Sequence, residues 1–285
     1  MFPALLASET GGHAAPAFDI LTALVVLPAL GALAVALVPR ARAELHRGVA
    51  LLFTGGTGAL ALYLLAAFES SDAGYQFETN RSWVSEFGIS WHVGVDGISL
   101  FLVVLTAILF PIALLGATPH HDAKPYYAWL LLLEAGCLGV FVSLDLFMFF
   151  VMFEIVLVPM YFLIGGWGYG RRVYAALKFF LFTMFGSALM LVGIVSLAFL
   201  HRDAVEDQNR AEAQAIVEEA EGEPTAAEAE RVDELRTGET LSFDLVEIAE
   251  GRTVVDDSSS ANPFDWSAAR WIFLAFAVAF AVKVP

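Results

Sequence analysis

The chain has 285 residues, 58% of them hydrophobic, with a mean hydropathy of +0.70 and a formal net charge of −16. This is too apolar for a water-soluble globule, and nothing in it points to a nucleic-acid partner. Its one cysteine, Cys137, excludes an intrachain disulfide and leaves no thiolate set for an iron–sulfur cluster or a metal such as zinc. The six histidines (His13, His46, His92, His120, His121, His201) fall in loops or at the edges of apolar runs, so no pair is placed to hold a haem within a bilayer. We expect no cofactor bound by this chain.

The apolar residues come in blocks of membrane-spanning length. No Lys or Arg precedes the first block, so it reads as a retained helix and not as a cleaved signal. Candidate spans follow at 18–38, 48–68, 97–117, 126–144, 146–167, 174–200 and 268–285, about seven transmembrane helices in an all-α polytopic membrane protein. Asp145 is the turn between the fourth and fifth, and Asp96 and Asp145 read as helix caps. Short connections carry Arg40, Arg42, Arg47, Lys124, Arg171 and Arg172 on one side and only Arg81 on the other. The positive-inside rule then places the N-terminus, the loop 69–96 and the loop 202–266 outside the cell membrane.

Residues 202–262 break the pattern, with 18 Asp and Glu against five Arg. We read a membrane domain over 1–201, an acidic extracytoplasmic insertion over 202–266, and the start of a seventh span over 267–285. Within the insertion, Thr225-Ala-Ala-Glu228 after Pro224 is a capping box, opening a helix that runs to Arg236 and stops near Gly238. So much acid could attract cations or a partner, or keep the segment soluble in a salty medium. Its charge and low aromatic content predict an independently solvated segment that the membrane fold can spare.

Two charges stand out against this apolar background. Glu154 interrupts LFMFFVMFEIVLVPMYFLIGGW, and Lys283 interrupts RWIFLAFAVAFAVKVP. A charge at mid-bilayer depth costs on the order of 2.5 to 3.5 kcal/mol, so such groups face a protein interior, find partners and mark ion or proton pathways. The plainer alternative is a buried structural ion pair. Pro159 deprives the carbonyl of Ile155 of its helical donor, and Pro285 does the same for Ala281, so each charge sits beside weakened helix. At about 1.5 Å of rise per residue, Glu154 lies roughly 12 Å in from Leu146 and Lys283 roughly 18 Å in from Trp271, close enough for a lysine stem to bridge the offset. Glu134 is a second mid-membrane carboxylate, either a branch of the same pathway or a hydrogen-bonded structural acid. Lys178 lies near the positive-side boundary, where snorkelling accounts for it, though a relay of protons from the cytoplasmic surface is open to it as well. Cys137 reads as core filler.

The segments GISWHVGVDGISLFLVVLT (88–106), LEAGCLGVFVSLDLFMFFVMFEIVLVPMYFLIGGWG (133–168), YAALKFFLFTMFGSALML (174–191) and AFAVKVP (279–285) resemble the antiporter-like M subunit, or chain 4, of respiratory complex I. The resemblance runs from about residue 18 to the end, leaving out the acidic insertion, which is unusual at that place. It implies a fold of about fourteen membrane helices in two inverted halves, each with a broken helix and a proton half-channel. This chain would supply the first half, its last helix broken at Lys283-Val284-Pro285, and it ends inside an apolar run as a fragment of a longer protein would. The family's glutamate of the fifth helix falls on Glu154 and the lysine of its broken seventh helix on Lys283. The resemblance further implies a proton-translocating subunit of an NADH-quinone oxidoreductase, with the lipid bilayer and the other membrane subunits of complex I as partners and with NADH and quinone acting elsewhere. An Mrp-type sodium/proton antiporter or membrane-bound hydrogenase subunit is the nearest alternative, and a non-conducting structural fragment is another.

Overall fold

The computed structural model describes residues 19–71, 74–116, 118–219, 225–237, 241–254 and 266–283. The helices are α1 (Ile20–Leu37), α2 (Ala43–Ala67), α3 (Gly97–Gly116), α4 (Ala123–Val142), α5 (Leu146–Trp167), α6 (Arg172–Glu219), α7 (Ala226–Thr237), α8 (Leu245–Val254) and α9 (Trp266–Lys283). Six of them, α1 to α6, are long and apolar enough to cross a membrane. They match the first six expected spans, because uninterrupted apolar runs leave helix as the only way to satisfy the backbone in lipid. The seventh run is α9, but Val284 and Pro285, where the break was expected, lie outside the described residues, as do Pro224 and Gly238.

α4 packs against α1, α2 and α3, α2 also lies beside α1 and α3, and α5, α6 and α9 follow α4 in turn. Glycines set the closest approaches. A Cβ on Gly136 of α4 would come within 2.8 Å of Val156 on α5, and one on Gly186 of α6 within 2.7 Å of Val282 on α9. Small residues at these points let backbones approach where lipid supplies no hydrophobic drive.

The loop expected at 69–96 contains an antiparallel hairpin, β1 (Gln76–Val84) and β2 (Ile89–Val95), in register Asn80↔His92 and closed at Gly88 with φ +62. The sequence concealed it because β2 is buried almost throughout and so lacks an in-out alternation, and because two irregularities interrupt the register. Asp145 and Asp96 cap as expected: Met148 N–H donates to Asp145 Oδ1 at 2.8 Å, and Ser99 N–H to Asp96 Oδ1 at 2.7 Å. Ser90 N–H also donates to Asp145 Oδ2 at 3.0 Å, which ties the hairpin to the start of α5.

Two expectations about the insertion need correction. The boundary drawn at 201/202 falls inside α6, which runs on into the acidic segment for 48 residues in all. The charges that ended the apolar run are spaced for a helix surface, with Arg202–Glu206 at 3.5 Å and Arg210–Glu206 at 3.1 Å, so leaving the membrane does not end the helix. The capping box forms as read: Thr225 N–H donates to Glu228 Oε2 at 2.7 Å and opens α7, which lies against α6 through Arg231–Glu212 at 3.4 Å.

Nor is the insertion independently solvated. Leu245 N–H donates to the Leu144 carbonyl and Leu146 N–H to the Phe243 carbonyl, both at 2.8 Å, while the buried Phe243 ring meets Phe147 edge-on. Beside it, His92 places Nδ1 2.6 Å from Asp244 Oδ2 and Nε2 2.7 Å from Glu78 Oε1. Hydrophobic and polar contacts thus clasp the insertion to the hairpin and to α5. The signal missed was local, two apolar residues, Phe243 and Leu245, flanking Asp244 within a charged stretch.

The clasp titrates. Burial opposes a charge on His92, but the hydrogen bonds and negative charges of Asp244 and Glu78 outweigh it and raise the imidazole above its ordinary 6.5. Burial also opposes the Asp244 charge, yet His92 and the amides of Glu247 and Val246 hold that carboxyl below 3.8. A raised histidine contributes stability that is full below its unfolded value and lost as pH rises through its folded value. A depressed carboxylate contributes stability present above its unfolded value and lost as pH falls through its folded one. Proteolysis within the insertion should therefore be slowest between about pH 4 and 6.5, the ordinary carboxylate and imidazole values, and should accelerate on alkalinisation. His92→Gln should abolish that alkaline rise; an unchanged rise would assign it to another group.

Candidate functional site

α5 delivers Glu154 and α9 delivers Lys283 to one place. The Lys283 ammonium donates to the Phe153 carbonyl at 3.0 Å and lies over the Phe153 ring, 2.9 Å from its centroid. The bond to the carbonyl and the ring face together stabilise a cation away from water. Phe280 of α9 meets the same ring edge-on at 6.4 Å, and Val282 seats α9 on Gly186 of α6. Three helices thus fix the position of the lysine.

Glu154 is the next residue along α5, half-buried, and its buried Oε1 has no hydrogen-bond partner among the described residues. Nor does an ion pair join it to Lys283 there. Successive helix residues point about 100° apart, so a lysine resting on Phe153 is one residue's rotation away from Glu154. The two charges are brought together as expected, with a carbonyl and a ring, not a salt bridge, holding the cation. Pro159 lies inside α5 without ending it. The carbonyl that Lys283 takes belongs to Phe153 and not to Ile155, which Pro159 had been expected to free.

Glu134 on α4 is 0% exposed and receives a hydrogen bond from Thr54 Oγ1 of α2 at 2.8 Å, while its Oε2 has no partner among the described residues. Cys137, half-buried and free, is three residues further on, within electrostatic range of both Glu134 and Lys283. Lys178 is exposed on α6. A snorkelling role predicts that Lys178→Ala leaves proton movement within about twofold of the parent, measured as proton uptake in proteoliposomes; a large loss would make it a relay.

Sequence reasoning missed Thr54, whose hydroxyl is unremarkable in an apolar run, and misplaced two histidines. His46, read as lying at an edge, is 2% exposed inside α2, which begins five residues earlier than expected because Glu44, His46 and Arg47 mask its first turns. His201 is buried within α6, 3.9 Å from Glu247.

Residues 143–209, which carry Asp145, Glu154 and Lys178, match the family model described as NADH:quinone oxidoreductase/Mrp antiporter, TM. The chain is 44% identical over 149 residues to NADH-quinone oxidoreductase subunit M of Rickettsia bellii, an alignment covering 52% of this chain and 30% of that protein. The resemblance named from the sequence holds. Subunit M of Rhodobacter capsulatus is 41% identical over 185 residues, covering 63% of this chain and 36% of the relative. Chain 4 of the NADH-ubiquinone oxidoreductase of Marchantia polymorpha is 38% identical over 188 residues, covering 65% and 38%. The chain thus spans well under half the length of these curated relatives.

Among solved structures, respiratory complex I from Thermus thermophilus with bound NADH superposes with a TM-score of 0.66 at 23% identity, over 93% of this chain and 44% of the matched one. The Mrp complex from Dietzia gives 0.61 at 18% identity, over 92% and 23%. These likenesses show the fold, an antiporter-like multi-pass membrane architecture common to both complexes.

Proposed function

We propose that this chain is part of a proton-translocating membrane subunit of an NADH-quinone oxidoreductase type complex, in which quinone reduction at other subunits drives charge rearrangement at Lys283 and Glu154. The observation that carries the reading is the lodging of Lys283 on Phe153, one residue from a buried Glu154 oxygen with no partner among the described residues, in a chain similar to subunit M. A half-buried ammonium with two alternative resting places, a carbonyl and a neighbouring carboxylate, can hold a proton in one arrangement and release it in the other. The chain supplies no redox centre in this reading; NADH and quinone act on its partners, the other membrane subunits.

The second reading, a subunit of an Mrp-type sodium/proton antiporter, is favoured by the superposition on the Mrp complex. Inverted membrane vesicles from cells lacking the gene separate the two. Loss of NADH-driven proton uptake with unchanged sodium-driven proton exchange supports the first, and the reverse supports the second.

The cell membrane is the proposed location, with the insertion outside and Arg171 and Arg172 facing the cytoplasm, on the asymmetry of Lys and Arg. Cysteines introduced singly into the insertion should react with an impermeant reagent in intact cells, and one placed at Arg171 should not. Outside labelling at position 171 would invert the topology.

A further inference from the structure

The two groups of Phe153 that hold Lys283 are unequal. The Phe153 carbonyl lies inside α5, where the N–H of Leu157 already claims it in the helical ladder. The bond from Lys283 at 3.0 Å is therefore a second, shared one. The ring is engaged more closely than the other rings that face cations: the Lys283 ammonium lies 2.9 Å from its centroid, against 4.8 Å for Arg202 over Phe199 and 5.3 Å for Arg171 over Tyr174. The ring is also held still. Phe153 is buried in an apolar cluster with Met190 of α6 and Ala279 of α9. Phe149, one turn earlier on α5, stacks with it at 5.8 Å and 27° between planes, and Phe280, on the same face of α9 as Lys283, meets it at 6.4 Å and 79°. A move by Lys283 towards Glu154 thus leaves the ring behind. A ring face attracts through its quadrupole, so it prefers an ammonium to an uncharged amine. Packing alone would ask only for an apolar side chain at this position.

We propose that Phe153 is a positioning residue whose ring is a charge-selective cradle for the Lys283 ammonium, and that the strength of this cradle sets how readily the ammonium passes to Glu154. The proposal rests on the proton-translocating reading above and adds to it the group that competes with the carboxylate. No covalent bond changes in the move. The ammonium exchanges a ring face and a shared carbonyl for a carboxylate whose Oε1 has no partner among the described residues. A weaker cradle leaves the ammonium on Glu154, where it no longer alternates.

The test uses the full-length protein in its assembled complex, with subunit content checked for each variant. Phenylalanine bearing one, two or three ring fluorines is placed at position 153 by nonsense suppression; each fluorine withdraws electron density from the ring face while the ring's shape and the carbonyl change little. Proton uptake per quinone reduced should fall stepwise along the series, several-fold by the third fluorine. Phe153→Leu, which keeps an apolar side chain and the carbonyl, should fall at least as far. The infrared carboxyl band lost in Glu154→Gln should shift stepwise along the same series and stay fixed when the series is repeated in Lys283→Ala. A series flat in either readout overturns the proposal whatever Phe153→Leu does, because it leaves the ring only a packing role; a band that shifts equally without Lys283 overturns it too. A flat series beside lost uptake in Glu154→Gln overturns the cradle alone, and full uptake in Glu154→Gln as well overturns the proton-translocating reading with it.

Discussion

Glu154→Gln in the full-length complex should depress proton uptake and the coupled quinone reductase rate together, by on the order of a hundredfold if the carboxylate takes part directly in proton transfer. The glutamine keeps the shape of α5 but removes the alternative resting place for the Lys283 ammonium, which then stays on the Phe153 carbonyl. Lys283→Ala removes the charge proposed to move and should have a similar effect. Because both substitutions act through one interaction, the double variant should cost less than the sum of the two single losses, with a coupling of about 0.5 to 3 kcal/mol. The measurement is proton uptake in proteoliposomes beside quinone reduction, with subunit content verified. Normal pumping in a well-assembled Glu154→Gln complex would return the pair to a structural role.

Removing residues 205–258 should destabilise the membrane domain, against the expectation from composition that the insertion is dispensable. The deletion takes away Phe243, whose ring packs on Phe147, and both backbone hydrogen bonds to the 144–146 turn, and it leaves His92 without Asp244. Loss of a buried phenylalanine alone costs about 3 to 5 kcal/mol. A shorter deletion, 221–240 closed by a flexible linker, keeps the clasp and should leave assembly near the parent level. Equal assembly of the two deletions, followed by subunit content and thermal inactivation, would show that the clasp contributes little.

The membrane helices were legible because lipid leaves few alternatives to a long apolar run, and the burial cost of a charge singled out Glu154 and Lys283 without any coordinates. Their mode of contact was not legible. Spacing put the lysine within reach of this stretch of α5, but whether its stem would end on Glu154 or on its neighbour depends on rotation about α5, which hydropathy does not encode. Thr54 was invisible for a related reason, since one hydroxyl in an apolar helix acquires meaning only when α4 brings Glu134 opposite. The hairpin and the clasp were hidden because they are contacts between residues far apart in the chain, such as His92 and Asp244, and the charge of 202–262 masked the few residues that dock it.

The length of α6 gives the protein a mechanical member. At about 1.5 Å per residue its 48 residues make a rod roughly 72 Å long, more than twice the thickness of a bilayer's hydrocarbon core. It contains no proline, the commonest cause of a sharp bend. α9 rests on it at Gly186, while α7 grips its distal end through Glu212. One continuous helix therefore links the acidic segment to the seat of the helix that bears the lysine.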